Sequence, residues 1–355
     1  MASNLISDAP FLSAGRLRAE IALRNHFWAR NYPHVESYGA NPVIVYAPED
    51  GRHGNFYPPA YAAVAERPEW TRRFDKIHAQ SRSLPKPQLD HRRKWRELDS
   101  CTSSDALMMN IFCTPEVIAS PMIRNMMGIN AEAEPTFGWK ARVPLQNGRV
   151  DRTEVDMRWG GLLVEAKLTE SDFQCREARI VEAYRDLHEV FDCDILPRVQ
   201  IRTRRRREAI EFAEEFTQEW EPPCEGADDN ARAFHAEIEA RADAEQPWLP
   251  GYSGYQLIRN VLAAHAAGAT FCVIHDERRP DLREAWFQVM RAVKNADMRV
   301  RCKALMWQEI VPLLPAALRE FLEVKYGIAE PGCAAVSPEE HEAHGYGKLS
   351  PGVRK

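Results

Sequence analysis

Between Arg152 and Glu170 the chain reads RTEVDMRWGGLLVEAKLTE, with polar and apolar positions alternating on both sides of Gly160-Gly161. A period of two suits a strand with unlike faces, and paired glycines accept the positive φ of a tight hairpin turn. Centring the turn on the glycines sets Asp156 opposite Glu165 and Glu154 opposite Lys167. Glu154, Asp156, Arg158, Glu165 and Lys167 then share one face, while Val155, Met157, Val164, Ala166 and Leu168 share a core face. Upstream, the pattern predicts helices over 16–30 and 61–80, a short strand over 42–46, and a helix over 104–113 opened by Ser103-Ser104. Pro135–Val143 reads as a strand, with Gln146-Asn147-Gly148 as its turn. Thr169 and Asp172 have capping-box spacing, predicting a helix to about Val190 with Phe173, Ile180, Tyr184 and Leu187 as its apolar stripe. Tyr252–Ala267 is predicted as a helix closed by Gly268, and Ala269–His275 as a strand covered on both faces. A helix over 280–294, a strand over 298–306 and a helix over 313–326 complete the pattern.

These runs suggest three parts. Residues 1–100 form an N-terminal extension of short mixed blocks, and 101–326 an ordered unit. Residues 327–355 are poor in apolar positions and read as a flexible tail. Within the ordered unit, 197–250 reads as a charged helical insertion. Its Arg202–Arg207 run is either a solvated helix face or an arm for phosphates through Arg204, Arg205 and Arg206.

Composition changes this picture little. With 45% hydrophobic and 28% charged residues the chain reads as a globular protein, and it contains no apolar run of the ~20 residues needed to cross a bilayer. No membrane partner is expected. The first residues lack a signal-peptide pattern, which makes a cytoplasmic location the expectation. Eight cysteines without a C-x-x-C pair argue against a zinc ribbon, a disulfide framework and an iron–sulfur cluster. The net charge of −5 does not favour nucleic acid globally, yet arginine and lysine cluster locally near 91–96 and 202–207.

The charged hairpin face is the candidate chemistry. Carboxylates directly across a strand pair sit about 4.5–5.5 Å apart at Cβ and repel. A divalent cation between them converts that repulsion into binding. The bland alternative is a solvated face with a Glu154–Lys167 surface salt bridge, which contributes little. Asp156, followed after a turn by Glu165-Ala166-Lys167, resembles the signature of the PD-(D/E)XK nuclease superfamily, with Val155 where proline is frequent.

The resemblance implies an α/β fold with a restriction-endonuclease-like core, a central mixed β-sheet flanked by helices. It implies a Mg²⁺-dependent nuclease acting on DNA, with Mn²⁺ substituting, and leaves RNA and a homodimer open. Asp156 and Glu165 would hold the metal with the Ala166 backbone carbonyl, and Lys167 would act on the water or the phosphate. Asp105 is either a helix-start residue or, like Glu134, an added metal ligand. Gln256 and Arg259, on the helix over 252–267, are expected beside the nucleic acid. Two alternatives stay open: a nuclease-derived subunit that binds or assembles without catalysis, and a small-molecule phosphodiesterase.

Overall fold

In the computed structural model the hairpin sits at the middle of a five-stranded mixed sheet, not at its edge. Residues 11–37, 41–78, 84–85, 94–130, 132–152, 154–202 and 248–330 are described. Strands β1 (Pro135–Lys140), β2 (Glu154–Trp159) and β3 (Leu162–Ala166) form an antiparallel meander. Three short strands follow, β4 (Cys175–Glu177), β5 (Arg198–Arg202) and β6 (Trp248–Ser253), making a separate antiparallel sheet in the order β4-β6-β5. The chain then returns to the main sheet as β7 (Thr270–His275) and β8 (Cys302–Met306), both parallel to β3, giving the order β8-β7-β3-β2-β1.

The β2–β3 pairs are Met157–Val164, Arg158–Leu163 and Trp159–Leu162, the register expected from a turn on Gly160-Gly161. Gly160 has φ +57°, a conformation that costs an L side chain and suits glycine.

Helices cover both faces of the sheet. On one side lie α1 (Ala14–Ala29), α2 (Ser104–Phe112) and, late in the chain, Ala316–Tyr326. Their apolar residues share a core with Met157, Val164, Ala166, Cys272 and Ile274. On the other side α3 (Tyr255–Ala267) and α4 (Pro280–Met290) pack on Val155, Leu163, Phe271 and Val273. Strand β7 therefore alternates between two cores, as its unbroken apolar run requires. The first core also holds Leu17, Ile44 and Trp70, so the N-terminal hundred residues contribute to it.

Several expectations are corrected. The helix over 61–80 is broken into Pro58–Ala65, Pro68–Thr71 and a 3₁₀ turn Arg72–Asp75, because Pro68 forces Arg67 into extended backbone. No helix runs from Asp172 to Val190. The Asp172 carboxylate instead accepts the Gln174 N–H at 2.6 Å, Gln174 takes φ +62°, and the chain turns into β4. Such a side-chain turn competes directly with helix initiation. Ile180 is exposed, whereas Phe173, Tyr184 and Leu187 are buried as expected. Residues 298–301 belong to a helix (Ala296–Arg301) capped by the Asn295 side chain, and the strand begins only at Cys302. The ends of the 197–250 segment are paired strands rather than helix, so Arg202 closes β5. Arg204, Arg205 and Arg206 lie outside the described residues, as does the tail over 331–355.

Candidate active site

The polar face of the hairpin is divided: Glu154 and Arg158 are exposed, but Glu165 and Lys167 are not. Helix α3 lies over the covered part, leaving Glu165 and Lys167 only 1% and 4% exposed. Both residues extend from the sheet into a polar enclosure that the chain has to satisfy. Glu165 Oε1 accepts from Lys167 Nζ at 2.7 Å and from Gln256 Nε2 at 2.8 Å, while Oε2 accepts from Asn260 Nδ2 at 2.7 Å. Gln256 and Asn260 stand four residues apart on α3, the spacing that puts two side chains on one helix face. The Gln256 Oε1 atom is buried and has no hydrogen-bond partner among the described residues.

Lys167 is fixed through its backbone as well. Its N–H donates to the Ile274 carbonyl at 2.8 Å, and its carbonyl accepts from the Trp307 indole at 2.9 Å. Burial alone would lower the lysine pKa. The carboxylates of Glu165, Glu170 and Asp156 outweigh burial and hold it above the ordinary lysine value.

Asp156 is the contrasting member. The β2–β3 pairing ends at Met157–Val164, and just beyond it the Asp156 carboxylate takes the Ala166 N–H at 2.9 Å. Its other oxygen makes no hydrogen bond among the described residues and lies 4.0 Å from Arg73 Nη2. Burial raises this carboxyl well above its ordinary value, and the negative charges of Glu165 and Asp105 raise it further.

Arg73 supplies the main positive charge on this flank. It pairs with Glu154 and, at 2.7 Å, with Asp105, which also accepts from Lys76 at 3.1 Å. Burial would raise the Asp105 carboxyl, but Arg73 and Lys76 hold it below the usual range. Glu97 lies within the same field. Burial first, then Asp105 and Glu170, push its carboxyl up to about 7 against the pull of Lys76 and Arg73.

The candidate residues are thus brought together in part. Asp156, Glu165, Lys167 and Gln256 converge, and Asp105 stands behind them, already paired. Glu134 does not join them; it pairs with Arg67 beside Pro135, at the far end of β1. Arg259 reaches the Glu154 carbonyl at 3.1 Å and stacks on Tyr255. The expected Glu154–Lys167 pair is absent, since each has a different partner. Sequence reasoning missed Asn260, Arg73 and Glu97. Asn260 alone left a signal, its four-residue spacing from Gln256.

A carboxylate offers about four lone-pair positions. Asp156 has one of them engaged, and Glu165 Oε2 retains a second position beside Asn260. Among the described residues no group of three His, Cys, Asp or Glu side chains is arranged to hold a metal ion. Any cation here would therefore rest on two carboxylates, with main-chain carbonyl and solvent completing its shell.

A family model described as REase-ARP, Restriction Endonuclease associating with ARP, matches residues 23–327. That span contains every residue of the enclosure. No curated protein and no solved structure matches the chain.

Proposed function

We propose a nuclease, from the premise that the chain belongs to the family Restriction Endonuclease associating with ARP. The reaction we assign is hydrolysis of DNA phosphodiester bonds with Mg²⁺, on a core we read as restriction-endonuclease-like, with the residues of the PD-(D/E)XK resemblance on β2 and β3 and just beyond. The observation that carries it is the Asp156 carboxylate, beside the buried Glu165–Lys167 pair and with one oxygen that makes no hydrogen bond among the described residues.

The donor set fits magnesium, which usually takes one or two carboxylates and fills its shell with water and substrate phosphate. Asp156 and Glu165 would hold it, with the Ala166 carbonyl between them in sequence. When bound, Mg²⁺ polarises a phosphoryl oxygen and lowers the pKa of a water. Asn260 and Gln256 keep Glu165 in one orientation. Lys167 supplies a fixed positive charge where negative charge develops on the phosphoryl group, and needs no reorganisation to do so.

A second reading, a non-catalytic subunit that assembles with a partner, is favoured by one observation. Glu165 already has three donors from the protein, and these satisfy it without metal.

Plasmid nicking separates the two. We expect nicking in Mg²⁺, none in EDTA, and a loss of about 10²–10³-fold in Lys167→Ala, the usual effect of removing one preorganised charge or donor. Nicking that survives EDTA would contradict the Mg²⁺ dependence, and nicking that survives the Lys167→Ala change would contradict the role assigned to Lys167. An intact, DNA-binding protein that does not nick would select the second.

A further inference from the structure

The small β4-β6-β5 sheet has one face built from arginine and aromatic residues. Antiparallel partners point the same way, and the pairs are Arg202–Trp248, Gln200–Pro250 and Arg198–Tyr252, with Arg176 on the other side of Tyr252. Arg176, Arg198, Arg202, Gln200 and Pro250 are exposed, and Trp248 is 56% exposed. The guanidinium of Arg202 lies 5.0 Å from the Trp248 ring centre and that of Arg198 5.2 Å from Tyr252. Arg176 lies 5.4 Å from the ring of Tyr255, which begins α3.

None of the three arginines has a carboxylate partner among the described residues. The nearby acids are otherwise engaged: Glu177 pairs with Arg179, and Glu182 accepts from the Tyr252 hydroxyl at 2.9 Å. Among the described residues, three guanidiniums without a carboxylate and an indole that is 56% exposed therefore share one sheet face, a surface whose charge complements an anionic partner that also carries rings.

The sheet is tied to the candidate active site at two points. The Phe173 ring, two residues before β4, lies 5.7 Å from Lys167 Nζ. The Phe173 and Gln174 carbonyls accept the Gln256 and Tyr255 N–H groups, both at 2.9 Å.

We infer that the face is a docking surface for unpaired DNA, with phosphates on Arg176, Arg198 and Arg202 and a base stacked on Trp248. Guanidiniums in a row complement a phosphodiester backbone. The indole decides for a single strand, because duplex bases keep their ring faces inside the stack and only an unpaired base can offer one. The inference rests on the nuclease reading for its choice of DNA.

The test measures binding of a fluorescent single strand of about 12 nucleotides, within the usual site sizes, and of a duplex, both in EDTA. Trp248→Ala should weaken single-strand binding about 5- to 100-fold and duplex binding less than twofold, with Trp248→Phe close to wild type. Arg198→Ala with Arg202→Ala should reduce the slope of log K against log salt by about 0.7 for each lost contact. Wild-type binding that neither set of changes alters would overturn this inference alone and return the face to an acidic protein partner. Equal losses on single strand and duplex in Trp248→Ala would overturn the stacked base. A wild-type protein that binds neither nucleic acid would overturn the inference together with the nuclease reading.

Discussion

Two aspartates, on or just after the strands that flank β3 in one sheet, have opposite surroundings. Asp276 follows β7, buried, and its carboxylate accepts from the Arg278 N–H, Nε and Nη2 at 2.7–2.9 Å and from Gln308 Nε2 at 3.0 Å. Burial would raise this carboxyl, yet Arg278 and Gln308 hold it below the ordinary range. Asp156, on β2, has one backbone N–H and faces two other carboxylates, which with burial raise it. A carboxylate that the fold completes is a structural fastening. One that the fold leaves short of positive charge is the place where a cation is expected.

The largest effect should come from the completed member. Asp276→Ala removes the main partner of the buried Arg278 guanidinium, which among the described residues keeps only Glu20 and the Tyr326 carbonyl. Unfolding in urea should then show a loss of about 3 kcal/mol, the low end for a broken buried pair. A loss well under 1 kcal/mol would erase the contrast.

Asn260→Ala comes next. It removes a hydrogen bond to a buried carboxylate, for which about 1.5–3 kcal/mol is expected in the same assay. An unaffected stability would mean that Glu165 is satisfied without it.

Smaller, and opposite in sign, is Asp156→Asn. In EDTA near neutral pH it should be as stable as wild type or more so, by about 0.5–1 kcal/mol on the scale of cross-strand pairs. The pH dependence sharpens the comparison. A carboxyl raised by folding holds a proton that the unfolded chain has lost, so stability falls as pH rises from the unfolded value of about 3.9 through the folded one. The advantage of Asp156→Asn should therefore vanish at about pH 4 and grow as pH rises. Asp276 is depressed, so its stabilisation is present above about pH 3.9 and lost as pH falls through its folded value. The deficit of Asp276→Asn should shrink on acidification. Parallel pH profiles for the two variants would contradict the assignment.

The hairpin's turn and register were legible in the sequence because their signals are local, but the period of two fails at Val155, which packs with Leu163 in the second core and not with Met157 in the first. The doubly covered β7 followed from a similarly local pattern, whereas the central mixed sheet was expected only through the resemblance. Gln256, 91 residues beyond Glu165, was expected near the site only through the resemblance, and Asn260, 95 residues beyond it, was not expected there at all. Arg73, 32 residues before Asp105 and 81 before Glu154, is equally remote. The failed helix at Asp172 has a different cause. An acceptor side chain two residues before a free N–H can cap a helix or close a turn, and sequence spacing fits both.

The central claim is that Asp156 is left short of positive charge in order to receive a divalent cation. Thermal melting tests it without substrate, by comparing wild type and Asp156→Asn in EDTA and then in ~10 mM Mg²⁺ or Mn²⁺, where few-ligand sites respond. A cation that binds only the folded state stabilises it by RT ln(1 + [L]/Kd). The account predicts a higher melting temperature for wild type with metal and the loss of most of that gain in Asp156→Asn. A variant that is destabilised in EDTA and keeps the full metal response would make Asp156 a structural residue and contradict the two-carboxylate site.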